Sequence, residues 1–305
     1  MQALRPFTFV QSGAMNARHC LPFALLLCPA CATVDPSAPQ TSLFAERWPA
    51  KGGPQEDRFV PKAHKPNYAI ARLSSNPNQK LFDEEAAATG LDAPDLQAAE
   101  IKFQLSLKTK VMDDVGEGGS LWLAYTQQSN WQAFNFSESA PFRDTNYEPE
   151  LIWNVPLDGE VLDWKLRFVN LGFVHQSNGR SEPLSRSWNR FYAQFGAENG
   201  PFALLVRPWW RIPEGDDNNP EIERFYGYGD LVALWKQETC HWALTLRNNL
   251  RLDGNKGAAQ LDWVYPLSNG ARVYVQAFSG YGESLMDYDR ATTTLGIGFQ
   301  MSDWL

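Results

Sequence analysis

Hydrophobic and polar residues alternate along most of the chain, which is the pattern of β-strands with one apolar and one polar face. Twelve segments carry this alternation, and they are joined by short turns and longer polar loops in alternation. They cover residues 67–73, 101–112, 121–131, 148–157, 164–177, 188–196, 202–212, 224–237, 241–250, 258–267, 271–280 and 292–305. An even number of such strands, with short turns at one end and long loops at the other, is typical of outer-membrane barrels. The sequence therefore predicts an all-β fold, a twelve-stranded antiparallel transmembrane β-barrel.

Two local features of this pattern give finer expectations. Asp158-Gly159 is predicted to form the short turn between the fourth and fifth strands, and residues 137–146 a long loop before the fourth strand. Trp209 and Trp210 lie near a strand end, where we expect an interfacial girdle of aromatic side chains.

Composition decides which kind of membrane protein remains possible. Apolar residues make up 44% of the chain, and the mean hydropathy is -0.39. Beyond the N-terminus no run approaches the ~20 consecutive apolar residues of a membrane-spanning helix, which excludes a helical membrane protein. The 12 Trp, 10 Tyr and 18 Phe residues are compatible with an outer-membrane barrel. The alternative that the pattern leaves open is a soluble β-sandwich or barrel.

The N-terminal region has the composition of a targeting segment. Residues 15–32 have a basic start, an apolar centre and an Ala30-x-Ala32 ending. This predicts a secretory signal peptide over residues 1–32, with Met15 as a candidate true start. The alternative is a lipoprotein whose lipid acceptor is Cys31.

The remaining chain divides into two predicted parts. Residues 33–62 are rich in Pro, Gly, Ser and charge, which predicts a flexible periplasmic segment, and residues 63–305 are left for the barrel. Three of the four cysteines lie within residues 1–32, so Cys240 is expected to have no partner cysteine in the mature chain. The mature chain would hold 25 basic and 35 acidic residues, a net charge of -10 that argues against a nucleic-acid partner.

Two adjacent predicted strands carry polar residues at the rim of apolar stripes. Alternation places His175 and Ser177 on one apolar face, and Asn189 at the end of the apolar face of the next strand. A serine nucleophile, a histidine base and a third group that orients the imidazole form the general arrangement for acyl transfer. An asparagine orients the ring but stabilises an imidazolium less than a carboxylate does. The alternative is that His-x-Ser is an ordinary entry into a loop.

The run HQSNGRSEPLSRSWNR, residues 175–190, resembles the outer-membrane phospholipase A family. Further family-like blocks follow in the family's order: SAPFRDTNYEPE at 139–150, AENG at 197–200, DNNPEI at 217–222 and YGESLMDY at 281–288. The resemblance covers roughly residues 60–305 and implies an outer-membrane phospholipase active on phospholipid acyl esters at the sn-1 and sn-2 positions and on lysophospholipids. It assigns His175, Ser177 and Asn189 to the catalytic triad.

The resemblance also implies calcium dependence. It gives the oxyanion to Ca²⁺ and the amide of Gly179, with calcium held by the Arg180 carbonyl, the Ser185 hydroxyl and Ser139 of the partner subunit. Neutral carbonyl and hydroxyl oxygens suit calcium, although a serine in a polar loop is also an ordinary turn residue.

Three acidic residues in the predicted loops leave a choice open. Glu182, Asp216 and Asp217 form either a second, weaker calcium position or a solvated acidic rim. Glu182 replaces the family's Asp, and the loop of Asp216 and Asp217 is one residue longer, which puts the second calcium position in doubt.

The third predicted strand carries an amide on its lipid face. Leu121, Leu123, Tyr125 and Gln127 share that face, and an amide facing lipid needs a partner. In the family that the chain resembles, such a glutamine pairs across a homodimer, so Gln127 is expected at the dimer centre. The alternative is that Gln127 lies at the wet rim. Rival readings of the whole chain are a noncatalytic barrel, either a narrow pore or a structural protein, and a soluble secreted esterase.

Overall fold

The structure is a computed structural model that describes residues 42–53, 56–90, 92–116, 118–267 and 270–304. The strands are β1 Lys62–Ala63, β2 Asn67–Ser74, β3 Ala99–Met112, β4 Ser120–Trp131, β5 Phe142–Val161, β6 Trp164–Ser177, β7 Ser187–Asn199, β8 Phe202–Ile212, β9 Gly229–Lys236, β10 His241–Asn248, β11 Gly257–Pro266, β12 Arg272–Tyr281 and β13 Ala291–Ser302. The helices are α1 Gln79–Thr89 and α2 Ile222–Tyr226, with a 3₁₀ turn at Phe136–Glu138.

Consecutive strands pair antiparallel around the whole sheet. β13 pairs with β2, and β3 pairs with both β2 and β4, so the described strands β2 to β13 close on themselves. The two-residue β1 pairs with β3 beyond the end of the β2 ladder and extends the first strand. The fold is therefore a closed antiparallel barrel of twelve strands, which confirms the prediction from alternation.

Apolar side chains cover the outside of the barrel, and the inside holds many charged and polar side chains beside a cluster of buried aromatic and aliphatic ones. Phe191 and Ile297 are 55% and 60% exposed, whereas Lys102, Arg143 and Glu150 are buried. The interior ion pairs include Arg72–Glu100 at 2.6 Å, Arg143–Asp287 at 2.6 Å, Lys102–Glu283 at 2.9 Å and Lys65–Glu150 at 2.9 Å. A polar interior paired with itself and an apolar wall are what a lipid environment requires of a barrel.

The loop over residues 282–290 closes the barrel at the end that carries the longer loops. Leu285 and Met286 are buried at 0% and 1% exposure. The backbone N–H of Leu285 donates to Asn146 Oδ1 at 3.0 Å. This loop therefore lies inside the barrel mouth.

Residues 42–48 pack at the opposite end, although residues 33–62 were predicted to be flexible. Phe44 and Trp48 are 2% and 7% exposed, and their ring centroids lie 5.3 and 5.5 Å from the ring of Phe168. Burying two aromatic side chains offsets the ordering of a short, otherwise polar segment. Residues 42–48 are thus packed at this end of the barrel, whereas residues 51–53 and 57–61 are exposed.

The signal peptide predicted over residues 1–32 lies outside the described residues. Cys240 is buried directly before β10. The expectation that it has no partner cysteine concerns the mature chain and stays a prediction.

β5 runs past the predicted Asp158-Gly159 turn. The register between β5 and β6 shifts between Pro156 and Gly159, so Asp158 lies in a bulge and Gly159 is already paired with Leu166 in the continuing strand. The turn falls at Leu162 and Asp163, whose φ angles are 51° and 66°. Two consecutive positive φ angles match the right-handed twist of a two-residue hairpin. β5 also begins at Phe142, which shortens the loop predicted over 137–146.

Trp209 and Trp210 face opposite sides of β8. Trp210 is 61% exposed, whereas Trp209 is 3% exposed and donates from Nε1 to the carbonyl of Gly227 at 3.0 Å. Because successive strand residues alternate, only Trp210 belongs to the outer aromatic surface. The expected girdle position of Trp209 is wrong.

Candidate active site

β6 and β7 hold the predicted trio on the outer wall of the barrel. His175 pairs with Asn189 in the ladder between these strands, and Ser177 pairs with Ser187. All three trio side chains are half-buried, while their neighbours Val174 and Arg190 are buried inside the barrel. The trio therefore lies on the lipid-facing side, near the end that carries the longer loops.

A hydrogen bond joins two members of the trio. His175 Nδ1 and Asn189 Oδ1 are 2.9 Å apart. With the amide oxygen as the acceptor, Nδ1 is the donor, and a neutral ring then keeps its lone pair on Nε2. A histidine in that tautomer has the form that a general base needs.

Ser177 lies beside His175 but is not hydrogen-bonded to it. It is the last residue of β6, two residues beyond His175 and on the same face. In the described part of the chain its hydroxyl makes no hydrogen bond to His175. Catalytic hydrogen bonds often shorten only when substrate is bound, so the spacing is compatible with a nucleophile and its base.

Asn189 has a second partner that the sequence pattern did not point to. Its Nδ2 donates to Glu214 Oε1 at 3.0 Å. Glu214 follows Ile212, the last residue of β8 and the ladder partner of Asn189, by two positions. This contact could have been predicted from the spacing of two residues between Ile212 and Glu214. In an extended chain, such residues point to the same side, provided that the chain stays extended past Pro213.

The loop over residues 178–186 follows the trio and is held in shape by a buried asparagine. Asn178 Nδ2 donates to the carbonyl of Leu184 at 2.8 Å, and Asn178 Oδ1 accepts from the N–H of Arg186 at 2.9 Å. Arg180 Nη2 donates to the carbonyls of Phe142 and Arg143, each at 2.8 Å. The loop is therefore fixed both internally and against β5.

Gly179 presents its amide freely within that loop. Its φ is +64°, and a Cβ there would lie 3.1 Å from Tyr147 Cε2. Both the backbone conformation and the lack of space therefore favour glycine at this position. The Gly179 N–H makes no hydrogen bond within the described part of the chain. A free amide two residues beyond Ser177 has the chemistry of an oxyanion donor.

The expected calcium ligands lie in two loops at this end of the barrel. Ser185 Oγ accepts a hydrogen bond from Asn218 Nδ2 at 2.9 Å, and the Arg180 carbonyl accepts none from any described residue. Ser139 is exposed in the loop before β5, with a φ of 58°. Ser185 and Arg180 offer neutral oxygens, which suit a hard cation such as Ca²⁺. Asn218 was not singled out from the sequence.

Glu182, Asp216 and Asp217 form no cluster of three carboxylates in the described part of the chain. The described residues contain no group of three or more His, Cys, Asp or Glu side chains that could hold a metal ion. Asp217 pairs instead with Arg211 at 2.6 Å, while Glu182 and Asp216 are exposed. The choice between a second calcium position and a solvated acidic rim stays open.

Gln127 faces outward from β4 and has partners within its own chain. Tyr125 donates from its hydroxyl to Gln127 Oε1, and Gln127 Nε2 donates to Ser129 Oγ, each at 3.2 Å. Gln127 pairs with Tyr147, which pairs with Ser177, so Gln127 and Ser177 lie two strands apart, about 10 Å. Any surface that covers Gln127 therefore lies beside the trio.

The fold and the position of the site define the class of the molecule. A closed barrel with a polar interior, an apolar outer wall and a half-buried serine, histidine and asparagine on that wall is an outer-membrane β-barrel enzyme. None of the described helices is long and apolar enough to span a membrane.

Comparison with known proteins gives the family. The phospholipase A1 family model matches residues 44–301. Phospholipase A1 of Escherichia coli is 39% identical over 238 residues, which are 78% of this chain and 80% of that protein. Two structures of outer membrane phospholipase A from Escherichia coli match with a TM-score of 0.75 and 35% identity. Each match covers 83% of this chain and 95% of the other chain. One of the two is an active-site mutant in which an asparagine is replaced by alanine. The Salmonella typhi outer membrane phospholipase, a dimer with bound calcium, matches with a TM-score of 0.74 and 36% identity over 82% of this chain and 95% of its own.

The chain therefore belongs to the phospholipase A1 family. It is a bacterial outer-membrane β-barrel that hydrolyses phospholipids. The rival readings of a soluble esterase and of a noncatalytic barrel are set aside, and the packed segments at both barrel ends agree with an enzyme rather than a pore.

Proposed function

We propose that Ser177, His175 and Asn189 are the catalytic triad of this phospholipase, which cleaves sn-1 and sn-2 acyl esters of phospholipids and lysophospholipids. The observation that carries the proposal is the 2.9 Å contact between His175 Nδ1 and Asn189 Oδ1 on the lipid-facing wall, with Ser177 beside it. The active-site asparagine of the Escherichia coli relative supports the role of Asn189.

In the first half of the reaction, Ser177 Oγ attacks the ester carbonyl carbon and gives its proton to His175 Nε2. The resulting imidazolium donates from Nδ1 to the Asn189 amide oxygen. Collapse of the tetrahedral intermediate breaks the bond to the glycerol oxygen, which takes the proton from His175. Water then attacks the acyl-enzyme with His175 again as base, and the fatty acid leaves.

The oxyanion forms within reach of the loop that follows β6. The free N–H of Gly179 donates to it. Calcium, when bound, supplies a positive charge that stabilises the same oxygen. The Arg180 carbonyl and the Ser185 hydroxyl would hold the ion together with Ser139 of the partner subunit, and the calcium-bound dimer of the Salmonella typhi relative supports this assignment.

Self-association completes the site in this proposal. The trio lies on an outer wall with little protein around an acyl chain, and one calcium ligand comes from the second copy. Gln127 lies beside the trio and is the proposed centre of the contact. The active species is accordingly a calcium-loaded homodimer, which dilution or calcium removal returns to an inactive monomer.

The test uses refolded full-length protein in detergent with a defined phospholipid. Fatty-acid release is measured with calcium and with a chelator, and a sulfonyl fluoride is used to label the nucleophile. We expect release and labelling only with calcium, both lost in Ser177→Ala and both retained in Ser279→Ala, an outward-facing serine of β12. Calcium-independent turnover, or labelling that persists in Ser177→Ala, would overturn the proposal.

A further inference from the structure

Glu214 contacts the trio without belonging to it. Its Oε1 accepts the hydrogen bond from Asn189 Nδ2 at 3.0 Å. No described basic side chain lies within ion-pair distance of this carboxylate, whereas Asp217, in the same loop, is paired with Arg211 at 2.6 Å. Among the described residues, the hydrogen-bond partner of the Glu214 carboxylate is therefore the amide of Asn189.

An asparagine side chain has nearly the same shape when its oxygen and nitrogen exchange places. If the Asn189 amide were reversed, its N–H group would face His175 Nδ1 and require an acceptor there. That would move the proton to Nε2 and remove the lone pair that Ser177 needs. The contact with His175 alone does not decide between these two orientations.

Glu214 supplies the missing constraint. A carboxylate only accepts hydrogen bonds, so it holds Nδ2 of Asn189 and repels the amide oxygen. The oxygen is thereby directed at His175. The loop that carries Glu214 is itself fastened to the site, since Asn218 Oδ1 accepts from the N–H of Ser187 at 2.9 Å.

We infer that Glu214 is a positioning residue for hydrolysis, which fixes the Asn189 amide and through it the base form of His175. The inference rests on the proposed triad. The charge of Glu214 also polarises the Asn189 amide. Asn189 and Glu214 together therefore stabilise the imidazolium in part, as a single aspartate does fully in Ser-His-Asp sites.

The first test is Glu214→Gln, with Glu221→Gln as a control that removes the same charge from an exposed position in the same loop. We expect kcat to fall about tenfold in Glu214→Gln, the loss that corresponds to roughly 1.4 kcal/mol of transition-state stabilisation. KM should stay unchanged, because Glu214 touches no substrate. The control should match wild type. In an Asn189→Ala background, Glu214→Gln should cause no further loss, because its effect passes through Asn189.

A charge exchange gives the sharper test. Asn189→Asp alone places two carboxylates side by side and should be poorly active. Adding Glu214→Gln supplies an amide that donates to the new carboxylate, and we expect about tenfold recovery of kcat. A residue that only stabilises the loop would give no such recovery.

The outcomes separate this inference from the triad itself. Wild-type kcat in Glu214→Gln, together with no recovery in the exchanged pair, overturns the role of Glu214 while an inactive Ser177→Ala leaves the triad standing. Full activity of Ser177→Ala overturns the triad. For every variant, folding of the barrel is checked by heat-modifiable electrophoretic mobility, which compares unheated and heated samples on a gel.

Discussion

At the scale of single residues, the proposed site combines a neutral group, Asn189, with a charged group, Glu214, that contacts it. Asn189 accepts from His175 and donates to Glu214. Ser177 and His175 exchange the proton directly in the proposed reaction, whereas Asn189 only holds the ring. Removal of these groups should therefore have unequal effects.

Ser177→Ala and His175→Ala should each lower kcat by at least about 1,000-fold, since they remove the nucleophile and its base. Asn189→Ala should cost less, roughly 100-fold, because the ring is then misplaced but still present. Fatty-acid release in a pH-stat, with folding followed by gel mobility, measures the difference. Equal losses for Asn189→Ala and Ser177→Ala would contradict the orienting role.

The residues of the site differ in how far the sequence could reveal them. The outward positions of His175, Ser177 and Asn189 follow from strand alternation, which depends only on local backbone geometry. Glu214 reaches Asn189 because it lies two residues beyond Ile212, the ladder partner of Asn189, and Pro213 interrupts the strand pattern at this point. The contact between Asn218 and Ser185 joins two loops, and no local pattern encodes how two loops meet.

At the scale of elements, strand identity was predictable but strand ends and short helices were not. Asp158-Gly159 has the composition of a turn, yet β5 continues past it, with Asp158 in a bulge and Gly159 paired with Leu166. Residues 224–226, predicted as strand, belong to α2, and Gly227, with a φ of 79°, separates that helix from β9. In both cases pairing or packing with distant chain segments overrides the local signal.

The β6–β7 pair also shows how the interior is filled. A Cβ on Gly172 would fall within the ring of Tyr192, whose hydroxyl donates to Glu150 Oε2 at 2.9 Å. We expect Gly172→Ala to destabilise the barrel by about 1–3 kcal/mol through overpacking. Gly159→Ala, where the new Cβ meets only Leu166 Cδ1 at 3.8 Å, should be nearly neutral. Urea unfolding followed by tryptophan fluorescence compares the two, and equal midpoints would contradict the packing argument.

At the scale of the whole molecule, the closed barrel leaves its apolar wall as the surface for association. Gln127 is already bonded to Tyr125 and Ser129 in its own chain. In a dimer, Gln127 would replace these hydrogen bonds with bonds to the second copy, so it would gain no bond that it lacks in the monomer. The effect of removing it should be small.

Gln127→Ala should weaken dimerisation by about 0.6 kcal/mol, roughly a threefold higher dissociation constant, the typical value for polar contacts in membranes. Sedimentation in density-matched detergent with calcium measures it. Thr293→Ala, an exposed outward-facing position on β13, serves as control. A dimer unaffected by Gln127→Ala would remove this residue from the contact, and a fully active calcium-free monomer would refute the dimer mechanism.

His175, Ser177 and Asn189 lie on the outer wall, so the substrate concentration that sets the rate is the concentration within the membrane. In the proposed mechanism, lipid reaches the trio on the outer wall by lateral diffusion, so its abundance is a mole fraction in a two-dimensional phase. At fixed total phospholipid, adding neutral detergent to mixed micelles should therefore slow hydrolysis in proportion to the falling mole fraction. A water-soluble short-chain ester should not show this dilution. A rate that follows bulk phospholipid instead would mean that substrate arrives from the aqueous side.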